Sequence, residues 1–191
     1  MKLSVDRVAE APTEHHFEAD ADWWREWTGA GEDYSYAVAE WPRFEVRACA
    51  QGEDLALEGS LDAAIDVECS RCLKRYRQGV RGSFGVTLEP IRDRRPPDPE
   101  SIEMLERFGL CLGDELDSGW YRGKEILIDP LLAEATAVAM PFQPVCRDEC
   151  MGLCPQCGVD RNRASCDCKD QRPESPFAAL AVLQKDAEES S

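Results

Sequence analysis

Residues 55–88 read LALEGSLDAAIDVECSRCLKRYRQGVRGSFGVTL. Leu55, Leu57, Leu61, Ala63, Ile65, Val67 and Cys69 all stand at odd positions, and the two-residue period breaks only at Gly59. Strand side chains alternate between faces, so this pattern predicts a half-buried strand, with a kink expected at the glycine. It resumes at Val80, Phe84, Val86 and Leu88, after CSRCLKRYRQG. Two antiparallel strands joined through that segment follow, with Cys69 and Cys72 at the end of the hairpin.

The remaining elements are shorter. Leu3, Val5 and Val8 suggest a first strand or extended lead-in. Ala19 to Thr28 reads as a helix capped by Asp20, with Trp23, Trp24 and Trp27 on one side as core. Tyr34 to Glu40 and Arg43 to Ala48 read as strands. Residues 90–100 hold four prolines, which remove donors and disfavour regular structure, so a loop is expected there. A helical turn over 102–108, a loop over 111–123 anchored by Trp120, and a short apolar strand at 126–128 follow. Asp129-Pro130 opens a helix, with the aspartate as cap and Leu131, Leu132, Ala135, Val138 and Ala139 as its apolar face; Pro141 stops it. Ser175-Pro176 would cap a last helix, Phe177 to Gln184. The predicted fold is α+β: a mainly antiparallel, curved or barrel-like sheet with flanking helices. The expected domains are a β-rich core over 1–143 and a Cys-rich metal-binding module with its helix over 144–191.

Ten cysteines carry the chemistry, eight of them in three tight groups. Cys69 and Cys72 form CSRC; Cys146, Cys150, Cys154 and Cys157 form CRDECMGLCPQC before Gly158; Cys166 and Cys168 form CDC. A CxxC turn aims two sulfurs at one ion, and four thiolates suit zinc. Cys154-Pro155-Gln156-Cys157-Gly158 is the strongest unit, because proline stiffens the turn and glycine tolerates the positive φ beyond it. CPxCG also serves rubredoxin-like iron sites, so the motif argues for a metal without choosing one; zinc is expected, since nothing else suggests electron transfer. Three partitions fit the spacing: Cys154, Cys157, Cys166 and Cys168 together; Cys150 in place of one of these, with Cys146 spare; or Cys69 and Cys72 reaching across to the C-terminal group. Eight cysteines could also make two four-sulfur sites; one zinc in the C-terminal module is the expectation, with a second or shared site as the alternative. Cys49 and Cys111 read as buried structural thiols.

Charge narrows the partners. The net charge is −16, and residues 1–66 hold sixteen acids against five bases. Residues 67–82 reverse this with Arg71, Lys74, Arg75, Arg77 and Arg81 against Glu68. Naked nucleic-acid binders carry a basic footprint that this chain lacks overall. A basic protein partner, or a small contact face of Arg71, Lys74, Arg75 and Arg77 on an acidic body, fits better. The first residues lack a signal-peptide pattern and no run reaches membrane-spanning length, which points to the cytoplasm and to metal ligands rather than disulfides. His15 and His16 are the only histidines and read as exposed loop. No nucleophile–base constellation and no nucleotide-binding motif occurs, so no enzyme is expected, and CSRC as a thiol oxidoreductase is the weaker alternative.

Read together, VECSRCLKRY, ILIDPLLAEATAVAMPFQPVC, CMGLCPQCGVDRN, CDC and PFAALAVL resemble the YceD (DUF177) family, in the right order from about residue 3 to residue 183. Cys69, Arg71, Cys72 and Leu73 match its CxRCL; Asp129, Leu131 and Pro141 match the segment before its second cluster. Cys154, Pro155, Cys157, Gly158, Asp160 and Asn162 match its CPxCG motif with the polar positions that follow. The resemblance implies a non-enzymatic factor in synthesis, processing or stability of 23S rRNA and in assembly of the large ribosomal subunit. A basic ribosomal protein or a large-subunit precursor particle is then the expected partner, with no membrane and no small-molecule substrate. A zinc-ribbon interaction module of other use is the runner-up. Some members keep the first cysteine pair and lack much of the second cluster, which implies that the strand domain with its hairpin is the shared working part.

Overall fold

The computed structural model describes residues 1–28, 36–96, 98–113 and 117–168. Its elements are β1 (Lys2–Ser4), β2 (Thr13–Glu18), α1 (Ala21–Trp27), β3 (Tyr36–Gln51), β4 (Asp54–Glu68), β5 (Arg75–Pro90), α2 (Pro99–Phe108), β6 (Leu110–Leu112), β7 (Ser118–Tyr121), β8 (Glu125–Leu127) and α3 (Asp129–Ala139). Six strands form one sheet in the order β2-β3-β4-β5-β7-β6, and β1 pairs with β8 apart from it. All pairs are antiparallel except β5 with β7. The fold is α+β as expected. The barrel is not: among the described residues the sheet stays open, with β2 and β6 as its edges.

The alternating pattern of 55–69 dictates the centre of the sheet. Leu55, Leu57, Leu61, Ala63, Ile65 and Val67 are buried on one face of β4, where Phe44, Val46 and Ala48 of β3, Val80, Val86 and Leu88 of β5, Trp23 and Trp24 of α1, and Leu131 and Leu132 of α3 meet them. The expected kink at Gly59 is absent, since the register runs unbroken through Gly59↔Phe84 and Val46↔Gly59. The glycine instead makes room. A Cβ there would lie 2.5 Å from the Phe84 ring and 2.6 Å from the Glu45 carbonyl.

Other expectations shift for local reasons. The two strands expected over 34–40 and 43–48 are one long β3, with irregular register between Val38 and Arg43; residues 34 and 35 lie outside the described residues. His15 and His16 lie in β2 rather than in a loop. His15 is half-buried, its ring stacked on Phe17 and its Nε2 3.1 Å from the Thr13 hydroxyl. Asp20 caps α1 as expected, accepting from the Trp23 N–H at 2.8 Å. Asp98 caps α2 through the Ser101 N–H, so the helix starts at Pro99 and takes in part of the expected loop. The loop expected over 111–123 instead holds the last two residues of β6 and all of β7. Asp129 does not cap α3; it is the first helical residue and buries its carboxylate, which accepts from the Trp23 indole at 2.7 Å and pairs with the Met1 amine. Val138, expected on the apolar face of α3, is 71% exposed. The helix expected over 177–184 lies outside the described residues.

Candidate metal centre

The β4–β5 hairpin ends in a knuckle. Cys69 N–H donates to the Lys74 carbonyl at 3.0 Å and Leu73 N–H to the Cys69 carbonyl at 2.9 Å. Arg71 N–H points at Cys69 Sγ, 3.4 Å away. The same turn recurs at the second CxxC, where Cys154 N–H donates to Val159 at 2.8 Å and Gly158 N–H to Cys154 at 2.9 Å. The residue after the second cysteine has positive φ in both turns: 73° at Gly158, but 58° at Leu73, an L-residue whose side chain is 59% exposed. Leucine pays for that backbone conformation, which glycine adopts freely.

The segment after α3 folds back onto the first knuckle. Ser70 N–H donates to the Pro144 carbonyl at 2.8 Å, and Leu153 N–H to the Arg71 carbonyl at 2.9 Å. The Arg71 guanidinium donates to the carbonyls of Asp148 and Cys150 at 3.0 and 3.1 Å. Gly152, with φ 69°, is needed for this approach, since a Cβ there would lie 2.8 Å from the Arg71 carbonyl oxygen.

The thiols consequently gather into two sets of four: Cys69, Cys72, Cys146 and Cys150; and Cys154, Cys157, Cys166 and Cys168. Within each set the sulfurs lie within 4.8 Å of one another. Cys69–Cys150 and Cys72–Cys146 are both 3.8 Å apart. That separation is far beyond a disulfide bond and equals the edge of a tetrahedron of about 3.8 Å that a metal–sulfur bond of about 2.3 Å requires. Both sets fit a metal ion. Cys146 is therefore no spare thiol, and the hairpin pair joins Cys146 and Cys150 rather than the last four cysteines. Asn162 braces the first set from the segment after the second CxxC: its amide nitrogen reaches Cys150 Sγ at 3.5 Å and Asp160 at 2.7 Å, while its oxygen accepts from Arg147 and from Met151 N–H, both at 2.9 Å. Of the two lone cysteines, Cys111 is buried and Cys49 half-buried.

The electrostatics call for a cation. Burial opposes charge on Cys69, but backbone N–H groups of Cys146, Cys72 and Arg71 bring its thiol down to about 6. Backbone donation from Cys157 and Gln156 brings Cys154 down to about 6. Burial and the neighbouring thiols then push Cys146 up to about 12. Cys168 is pushed up to about 12 by Cys157 first and by burial second. Cys72 is raised although Lys74 N–H favours its thiolate, because burial and adjacent thiols outweigh that bond. Cys166 is raised chiefly by Cys154. Each set holds one ready thiolate that hinders the next, and an ion relieves the repulsion. Loading must expel protons from Cys72 and Cys146, and from Cys166 and Cys168. Metal affinity should therefore rise with pH, by at least about 100-fold per unit around pH 7 to 8, since at least these two protons leave each site. Competition against a chromophoric chelator measures this slope, and a flat profile would contradict thiolate ligation.

Of the expected contact residues, Arg71 is committed to the carbonyls beside Cys150, and Arg77 pairs with Glu40 at 3.6 Å and Asp66 at 3.5 Å. Lys74 and Arg75 are exposed and make no ion pair among the described residues. The supporting roles of Gly152 and Leu73 escape a reading of the cysteines alone. The one signal is that Leu73 occupies the place of Gly158 in the matching turn.

The family model described as Large ribosomal RNA subunit accumulation protein YceD matches residues 57–184, a span that holds both thiol sets. An uncharacterized protein of Mycobacterium bovis is 33% identical over 117 residues, 60% of this chain and 49% of that one. The Large ribosomal RNA subunit accumulation protein YCED homolog 1, chloroplastic, of Arabidopsis thaliana is 22% identical over 152 residues, 69% of this chain and 44% of that one. Its Zea mays namesake is 29% identical over 130 residues, 60% of this chain and 44% of the other. The chain thus spans about half the length of the curated relatives it matches. No solved structure matches. With its matched region extending from near the start of β4 past the second thiol set, the chain belongs to the YceD family.

Proposed function

We propose that this chain acts without catalysis in the synthesis, processing or stability of 23S rRNA during assembly of the large ribosomal subunit. The family match over 57–184 carries this reading, together with plant relatives named for accumulation of large ribosomal RNA. We assign zinc to both thiol sets, because it is redox-inert and suits four thiolates. The first ion clamps the hairpin and the second staples the module behind it. The working face is then the hairpin tip, with Leu73, Lys74 and Arg75. A leucine held at positive φ with its side chain in water is disfavoured locally, and strain of this kind marks contact sites. A net charge of −16 suits a basic ribosomal protein, or protein on a precursor particle, better than naked RNA. No helix among the described residues is long and apolar enough to cross a membrane, in keeping with action in the cytoplasm.

The thiol-oxidoreductase alternative loses support on two counts. Cys69 and Cys72 are buried, and they sit in a hairpin knuckle rather than at the start of a helix that would present a thiolate to solvent.

The test is gradient co-sedimentation from cells lacking the native gene, complemented with the wild type or with Leu73→Gly/Lys74→Glu/Arg75→Glu. The wild type should travel with large-subunit precursors and restore 23S rRNA. The variant should keep its metal and its fold, since glycine removes about 1 kcal/mol of backbone strain, yet lose association by about tenfold or more. A wild-type protein that never meets precursors, with 23S rRNA unchanged in its absence, would overturn the reading.

A further inference from the structure

Strand β5 has an open flank. It pairs with β4 over 75–88, but with β7 only over 87–90, so among the described residues 75–86 are paired on one side alone. Half of the backbone N–H and C=O groups in that run face away from β4. At about 3.3 Å per residue the free edge is about 40 Å long. Natural edges of this length are usually blocked by charges, prolines or bulges. Here 75–86 contain no proline, and the register with β4 is continuous. Arg77 and Arg81 lean over the sheet onto Asp66 and Asp62, away from the free side. Gly79 and Gly85 leave open space where side chains would stand.

A groove of about 450 Å³ follows this edge, between residues 81–85 and the flank of α3. Leu131, Ala135, Val138 and Ala139 give it an apolar wall, and Val138 is 71% exposed. Glu134 and Asp117 also line it, and neither carboxylate has an ion-pair partner among the described residues. The one cation in the lining, Arg81, is already held by Asp62 at 2.8 Å.

We propose that this edge is a docking site for an extended segment of a basic polypeptide, which adds a strand to β5 and lays alternate side chains into the groove. The ladder bonds supply register, the α3 wall takes apolar side chains, and Glu134 and Asp117 take lysine or arginine. A second copy of the chain is the poorer occupant, because two bodies of charge −16 repel, whereas a basic segment is drawn to the acidic body. The choice of a basic partner agrees with the ribosomal reading above, but the edge is tested on purified protein. Peptide binding can therefore fail while co-sedimentation succeeds, and the reverse.

The probe is a labelled peptide of alternating lysine and valine, compared with the same peptide N-methylated at alternate residues and with a single-stranded uridine oligomer. Hydrogen exchange should show alternate amides within 75–86 unprotected in the free chain and slowed about tenfold or more by the peptide. N-methylation should weaken binding about tenfold or more, since it removes ladder donors and keeps the charge. Val138→Lys should weaken it comparably without changing the melting temperature, as the residue faces solvent. Equal binding of the N-methylated peptide would reduce the contact to charge and overturn the proposal. So would the same protection from the uridine oligomer. Protection already present in the free chain would also overturn it, assigning the edge to a second copy if it grows with concentration, or to this chain's own residues 169–191 if their deletion abolishes it.

Discussion

Stripping metal with a strong chelator at neutral pH will melt residues 144–168 and leave the sheet folded. The reason lies in what packs where. The main core is built by β1, β3, β4, β5, β6, β8, α1 and α3, without a residue from beyond Met140. The second cluster consists of Cys69, Cys72 and Cys150, with Tyr76, Val145, Cys146 and Leu153 against them. Most of its side chains are therefore thiols, and Met151 is 62% exposed. Apolar burial there is too small to offset chain entropy, whereas each structural zinc contributes on the order of 10 kcal/mol of apparent binding free energy. Amide exchange over 144–168 should reach the rate of unfolded chain on chelation, while the β4 and β5 amides facing one another stay protected. Loss of both regions in one step would show that the module is integral to the sheet.

Gly59→Val should cost about 3 kcal/mol and lower the melting temperature by roughly 6–12 °C for a chain of this size. Gly59 lies in β4, at the middle of the sheet, and the obstacle on one side is the Glu45 carbonyl of β3. A backbone oxygen cannot turn away without breaking the ladder, and the Phe84 ring on the other side is packed against the core. Gly79→Ala is the control, because nothing stands within 4 Å of a Cβ at that position. Equal melting of the two variants would mean that the sheet yields at β4, contrary to the packing described.

How far the sequence carries is best judged at these same places. The alternation of 55–69 and its resumption at Val80 give β4, β5 and the hairpin, because burial on one face imposes the period directly. Strand β2 hides because two of its six residues are histidines. Thr13, His15 and Phe17 do alternate inward, but only Phe17 is plainly apolar. Strands β6 and β7 are three and four residues long and too brief for any period to register. Asp98-Pro99 and Asp129-Pro130 look alike in sequence, yet only the first aspartate caps its helix; the second turns to Trp23, a contact 106 residues away.

The candidate site divides in the same way. Spacing identifies the CxxC pairs, since a tight turn alone brings two sulfurs together. It leaves their partition open, because the union of Cys69 and Cys72 with Cys146 and Cys150 depends on how the chain after α3 docks. That docking rests on Gly152 and on the Arg71 carbonyl and guanidinium, whose roles have no sequence period. The basic run at 71–77 was visible as charge alone. Only the fold separates Arg71 and Arg77, which hold the structure, from Lys74 and Arg75, which face solvent.

Metal stoichiometry by native mass spectrometry tests the central claim, that two separate thiolate sets hold this chain together. The wild type should carry two zinc ions; Cys69→Ser/Cys72→Ser should carry one, and Cys154→Ser/Cys157→Ser should carry one. A wild type with a single ion that survives Cys69→Ser/Cys72→Ser would contradict the account, because the hairpin would then hold no metal and nothing but packing would keep the module against it.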